Sequence, residues 1–346
     1  MNDMIHRASP ALIIAEAGVN HNGRLDLAKK LVDAAKEAGA GAVKFQTFQA
    51  EKLVTRTAVK ANYQVANMGT SESQLEMLKK LELPPESYRE LSDYCRSCDI
   101  RFLATPYGFD DLEVLRSLDV FAVKIASAMV VEPDFLIAAA RLNKTLLLAT
   151  GMATLSEVAR SVELLTNAVP EVEYILLQCT TDYPADPRIA NLRAMQTMAN
   201  AFHCRVGYSD HTPGVMTGVM AVALGACVVE RHLTLDKTLP GPDHAASSDP
   251  AEFAQYVRAI REAEAALGDG IKRPGLDEMR NTERMRRSLV ADRAIKAGER
   301  IQRGDLTFKR PATGIAPGDM ERVIGCRAAT DIAEDATLQW NMIVHD

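Results

Sequence analysis

From residue 12 to about 267 one pattern repeats: a short apolar run rich in β-branched residues, then a longer amphipathic segment. The apolar runs fall at 12–17, 42–46, 101–104, 121–126, 145–149, 174–178, 204–207 and 227–231. Helical periodicity follows each, at 25–38, 85–98, 110–118, 133–142, 154–166, 189–199, 214–224 and 250–267. A strand that returns through a helix lies parallel to its neighbour. Eight such units over roughly 255 residues match the count and length of a TIM (β/α)8 barrel. A doubly wound open sheet is the rival, but it places a Gly-rich phosphate turn after its first strand, and 16–23 (EAGVNHNG) does not resemble one. One long connection, 47–84, carries a helical piece at 72–81 and reads as a lid or substrate wall.

After residue 267 the character changes. The stretch 268–287 is rich in Gly, Arg and charge and reads as a linker; 288–346 shows short strand-like pieces broken by turns, as in a small β-rich domain. The domain reading is therefore a barrel over 1–267, a linker over 268–287 and a β module over 288–346. A length of 346 residues suits a barrel with one appendage. A formal net charge of -6 gives no footprint for nucleic acid or an anionic membrane, and no apolar run approaches a span. The first ten residues lack the apolar core of a signal peptide, and the six scattered cysteines fit free thiols in a reducing cytoplasm. Cys95 and Cys98 match a C-x-x-C, but no second pair accompanies them.

A barrel gathers its chemistry at the C-terminal ends of its strands. Polar residues stand there: Glu16 and Asn20, Lys44 and Gln46, Thr105, Lys124 and Ser127, Thr150, then Thr180, Thr181 and Tyr183. The last two strands end in histidines, in 205–212 (RVGYSDHT) and 227–234 (CVVERHLT). On adjacent parallel strands His211 and His232 are placed to share a divalent metal, with water or substrate completing the sphere. The plainer alternative is two unrelated polar strand ends. Lys44 and Lys124, with Thr105 and Ser127 between them, form an anion site. Here the alternatives are pairing of each lysine with an acid such as Glu16, or a Schiff-base lysine. A metal beside an anion pocket suits carbon–carbon bond formation between an enol phosphate and an aldehyde, with Glu16 or Glu230 managing the attacking water.

Several motifs, in order along the chain, resemble the sialic acid synthase (N-acetylneuraminate synthase) family. They are 14–23 (IAEAGVNHNG), 43–47 (VKFQT), 124–127 (KIAS), 150–152 (TGM), 179–184 (CTTDYP), 207–212 (GYSDHT), 230–232 (ERH) and 241–244 (GPDH). The stretch from 294–299 (AIKAGE) to 309–311 (KRP) is similar to the antifreeze-like (SAF) domain of those synthases. The resemblance implies condensation of phosphoenolpyruvate with an N-acetylmannosamine-type sugar to a nine-carbon 2-keto acid and phosphate. It implies Mn2+ on His211 and His232, with Mg2+ or Co2+ as alternatives. Phosphoenolpyruvate would lie among Lys44, Thr105, Lys124, Ser127 and Ser209, with Glu16 as the catalytic carboxylate. The sugar would meet Gln46, Tyr183 and Asp243. Arg310 would reach a partner's site in a homodimer that swaps the SAF domain.

The chain also departs from that family. Many sialic acid synthases continue the lysine strand as Ser-Gly-Glu, whereas here Ser127 is followed by Ala128 and Met129. Where they have Thr-Asn-x-Tyr, this chain has Thr180, Thr181, Asp182 and Tyr183. Taken as rim positions, both changes point to a less polar substrate face. Legionaminic or pseudaminic acid synthases, which use 6-deoxy diacetamido sugars, are therefore an open alternative. Synthases acting on phosphorylated sugars need a second phosphate site, and no arginine cluster stands at a strand end. A glycan-binding protein without activity is the reading from a different class.

Overall fold

The computed structural model describes residues 10–69 and 71–345. The chain divides into two compact units, Met1–Gly268 and Asp269–Asp346.

In the first unit eight parallel strands alternate with helices. They are β1 (Leu12–Gly18), β2 (Ala42–Thr47), β3 (Arg101–Pro106), β4 (Ala122–Ile125), β5 (Thr145–Ala149), β6 (Tyr174–Cys179), β7 (Arg205–Asp210) and β8 (Val228–His232). Their order is β3-β2-β1-β8-β7-β6-β5-β4, a (β/α)8 barrel whose ladder is complete except between β3 and β4. Alternation along each strand sorts the side chains. Ile13, Val43, Phe102, Val123, Leu146 and Val229 face outward into the core beneath the helices. Ile14, Ala42, Leu103, Ala122, Leu147, Ile175 and Val228 point inward and plug the barrel floor. Two residues further on, the same period turns Glu16, Lys44, Thr105, Lys124 and Glu230 inward, above that plug. Gly207 keeps the interior close-packed, because a Cβ there would lie 2.6 Å from both Leu177 Cδ2 and the Val228 carbonyl.

Helix ends follow local chemistry. Helix Leu155–Ala168 opens on Thr154, whose hydroxyl accepts from the Glu157 N–H. Helix Pro250–Leu267 opens on Asp249 in the same way, with Pro250 in its first turn. The helix expected at 189–199 instead becomes a 3-10 turn, Pro187–Ile189, and a helix, Arg193–Phe202; Asn191 between them has φ +44. Among its described residues the 47–84 connection holds three short helices, Ala50–Leu53, Asn62–Met68 and Gln74–Lys79, where one was expected. It has a small core of its own, with Phe48, Met77 and Leu81 packed on Val19.

In the second unit a helix, Leu276–Met285, runs within the stretch read as a linker. The Gly275 N–H donates to the Glu278 carboxylate at its start, and none of its residues is buried. Two antiparallel pairs follow, β9 (Ser288–Ala291) with β10 (Leu306–Lys309) and β11 (Arg327–Ala328) with β12 (Ile343–Val344). Leu289, Ile295, Ile301, Val323, Leu338 and their neighbours form a separate core. No helix of the described residues is long and apolar enough to cross a membrane.

Candidate active site

The C-terminal mouth of the barrel opens into a cavity of about 500 Å³. Glu16, Lys44, Gln46, Thr105, Lys124, Ser127, Tyr183, Ser209, His211, Glu230, His232 and Asp243 all line it. Strand register explains the meeting. Glu16 pairs with Lys44 on one side and with His232 on the other, Gln46 with Thr105, and Ser209 with Glu230.

The floor is a buried lattice of two cations and two anions. Lys44 Nζ lies 2.8 Å from Glu16 Oε2 and 3.6 Å from Glu230 Oε2, and donates to Thr105 Oγ1 at 2.9 Å. Lys124 Nζ donates to Glu230 Oε1 at 3.0 Å, and Ser209 Oγ donates to the same oxygen at 2.8 Å. Gln46 Nε2 donates to Glu16 Oε1 at 3.2 Å. The lysines thus converge as an anion pocket requires, and each is also held by a carboxylate. The two carboxylates are driven apart. Burial raises Glu16, which has one close ammonium and faces the charge of Glu230. Burial works against Glu230 too, but Lys124 and Lys44 outweigh it and hold that group well below the usual range. Asp243, with no ion pair among the described residues, is pushed up to about 7 by burial and by Glu16.

Above the floor His211 and His232 stand with ring centroids 5.5 Å apart. Burial, with the neighbouring His232, holds His211 down to about 3; burial, with the Lys44 charge, does the same to His232. Both rings are therefore neutral, the form that binds a metal. His211 Nδ1 donates to the Thr180 carbonyl at 2.6 Å, so Nε2 carries the lone pair; it lies 3.4 Å from Ser209 Oγ, whose hydrogen goes to Glu230 Oε1. His232 Nδ1 is buried without a hydrogen-bond partner. Neutral rings that each keep a lone pair fit a divalent cation. Among the described residues no group of three or more His, Cys, Asp or Glu is arranged to hold one, so water or substrate would complete the sphere. Behind the rings, buried Asp210 accepts from the Thr212 N–H at 2.9 Å and the Tyr256 hydroxyl at 2.9 Å. It also pairs with Arg231 at 3.2 Å, tying together the two strand ends that carry the histidines.

Other strand-end residues serve the frame. Asn20 donates to the Leu233 carbonyl and Ser247 Oγ, Thr150 Oγ1 donates to the Leu177 carbonyl, and neither lines the cavity. Met129 is a correction to the rim reading. The 3-10 turn Ser127–Met129 rotates its side chain into the core, and Ala128 lines the cavity instead. Arg310 belongs to the second unit, exposed just after β10.

Residues that sequence reasoning missed come mainly from the 47–84 connection. Phe48, Leu53, Tyr63, Gln64, Gln74 and Met77 form one wall, and Tyr107 and Cys179 join from strand ends. Tyr63 lies 4.8 Å from Tyr183, centroid to centroid, and Tyr183 lies 4.2 Å from His211. Asn67 donates to the Pro242 carbonyl at 2.7 Å, which anchors helix Asn62–Met68 beside Asp243. The length of the connection was the only signal for the wall residues, whereas Cys179 stood at a strand end in the 179–184 motif.

Fold and site together define a (β/α)8 barrel with its chemistry at the C-terminal mouth and a small β unit appended. The chain belongs to the NeuB family, whose model matches residues 31–272, and it carries a SAF domain over residues 286–344. It is 44% identical over 329 residues to an N,N'-diacetyllegionaminic acid synthase of Campylobacter jejuni, covering 95% of this chain and 98% of that protein. A protein of the same description from Legionella pneumophila is 44% identical over 335 residues, covering 96% and 94%. Among solved structures, an N-acetylneuraminic acid synthetase from Leptospira borgpetersenii superposes with a TM-score of 0.70 at 33% identity, over 79% of this chain and 90% of that one.

Proposed function

We propose that this protein is a nonulosonic acid synthase that condenses phosphoenolpyruvate with an N-acylated amino-sugar aldehyde. The observation that carries the reading is the joint presentation, in one cavity, of a two-lysine floor and two neutral imidazoles, on a chain of this family. Carbon 3 of phosphoenolpyruvate bonds to the aldehyde carbon, whose oxygen takes up a proton. Water adds at carbon 2, and the bond from carbon 2 to the phosphate oxygen breaks to release inorganic phosphate. Lys44 and Lys124, with Thr105, Ser127 and Ser209, bind the donor's anionic groups. Gln46, Tyr183 and Asp243 hold the acceptor, and Glu16 and Glu230 move protons at the mouth. His211 and His232 would hold a divalent metal, Mn2+ first and Mg2+ or Co2+ as alternatives, which when bound supplies Lewis-acid polarisation of the acceptor carbonyl.

Two acceptors remain in view, an N-acetylmannosamine-type sugar and a 6-deoxy diacetamido sugar. The second is favoured by the apolar wall of Phe48, Leu53 and Met77 and by the names of the 44% relatives. An unphosphorylated acceptor is supported by the lining, in which Lys44 and Lys124 are the only lysines or arginines among the described residues. A homodimer in which Arg310 serves the partner's site completes the proposal. The test is phosphate release from phosphoenolpyruvate with Mn2+, with and without each sugar. Release that depends on one of them is expected. No release with any amino sugar would sink the reading.

A further inference from the structure

Cys179 ends β6 inside the cavity, and the reaction above gives it no role. Its sulfur accepts a hydrogen bond from the Gly151 N–H at 3.2 Å and lies 3.0 Å from Ser127 Oγ. The corner is tightly packed. A Cβ at Gly151 would lie 2.6 Å from the sulfur and 3.0 Å from Ser127 Oγ, so glycine there lets the three groups meet.

Either atom of that contact can donate, and proton accounting favours the thiol. A thiol has one hydrogen to give, and burial pushes the Cys179 thiol up, which keeps that hydrogen in place. Its sulfur already receives the Gly151 N–H, and Ser127 Oγ is the acceptor within reach. With the thiol donating, the Ser127 hydrogen is free to point into the cavity, and the Ser127 hydroxyl makes no other hydrogen bond among the described residues. The opposite polarity would turn a serine lone pair toward any anion held by Lys124 and leave the thiol hydrogen without an acceptor. An anion selects the first arrangement.

We infer that Cys179 is a positioning residue of the donor pocket, aiming the Ser127 hydroxyl at the bound anion. The inference rests on the assignment of that pocket to phosphoenolpyruvate. Calorimetric titration of the full-length protein in Mn2+ with phosphoenolpyruvate alone tests it. Cys179→Ala should weaken binding about fivefold, the effect of one neutral hydrogen bond. Cys179→Ser should recover most of the loss. In turnover assays the KM for phosphoenolpyruvate should rise by a similar factor with kcat little changed. Because the effect runs through Ser127, adding Cys179→Ala to Ser127→Ala should weaken binding no further. If Cys179→Ala does not fold, as judged by circular dichroism, Cys179→Val fills the space without a donor and should show the same loss. Wild-type affinity in the alanine or valine variant, or additive losses in the double variant, would overturn the inference. A wild-type protein that binds no phosphoenolpyruvate would overturn the donor assignment itself, a distinguishable failure.

Discussion

Lys44 is the residue on which the floor turns, because it touches Glu16, Glu230 and Thr105 at once. Removing one partner of a buried ion pair strands the other charge, which costs about 3–5 kcal/mol. Lys44→Ala should therefore lower the unfolding free energy by that order as well as raise the KM for phosphoenolpyruvate. Pairing Lys44→Met with Glu16→Gln should restore most of the stability but none of the activity. Denaturant titration beside donor kinetics separates the two effects, and a double variant as unstable as the single would contradict the pairing. The histidines make the complementary case. His211→Ala or His232→Ala should cut turnover on the order of 10³-fold, if polarisation of the carbonyl is worth several kcal/mol. Exhaustive chelation of the wild type should do the same and Mn2+ should reverse it; full activity after chelation would rule out the metal.

At the scale of elements, the 47–84 connection contributes a wall that the barrel alone lacks. Tyr63 sits on Tyr183, which sits on His211, so the connection is in register with the histidine pair. Tyr63→Ala should raise the KM for the sugar roughly tenfold and leave that for phosphoenolpyruvate near wild type. The reverse pattern would place the wall over the donor instead. How far these elements were legible follows from their physics. Strands declared themselves because burial on both faces leaves continuous apolar runs, and the polar residue that interrupts each run marks the mouth. The helices of the connection did not, since pieces of four to seven residues carry too few turns for a period to emerge. Met129 misled for a different reason: a 3-10 turn changes which face a side chain takes, and spacing along the chain does not encode that. Lysine pairing was half legible. Convergence followed from strand order, but the carboxylate on each ammonium depends on register.

At the scale of the whole molecule, each of the two units has its own core, and the small one carries Arg310. If Arg310 serves a partner's cavity, mixing Arg310→Ala with His211→Ala protein should yield heterodimers with one complete site. Activity should then exceed that of both parents once subunits exchange. Exchange without gain would show that the arginine does not act in trans. The missing ladder between β3 and β4 bears on the barrel in another way. Thr105 stands on one side of that gap, with Lys124 and Ser127 on the other, so the proposed donor pocket lies across the place where, among the described residues, the strand ladder is open. A ligand gripped from both sides acts as a replacement rung. Amide deuterium uptake should be fastest, among the barrel strands, at the β3 and β4 edges, and phosphoenolpyruvate should slow it there more than at β1 or β8. The substrate would then be a temporary structural member of the barrel that processes it.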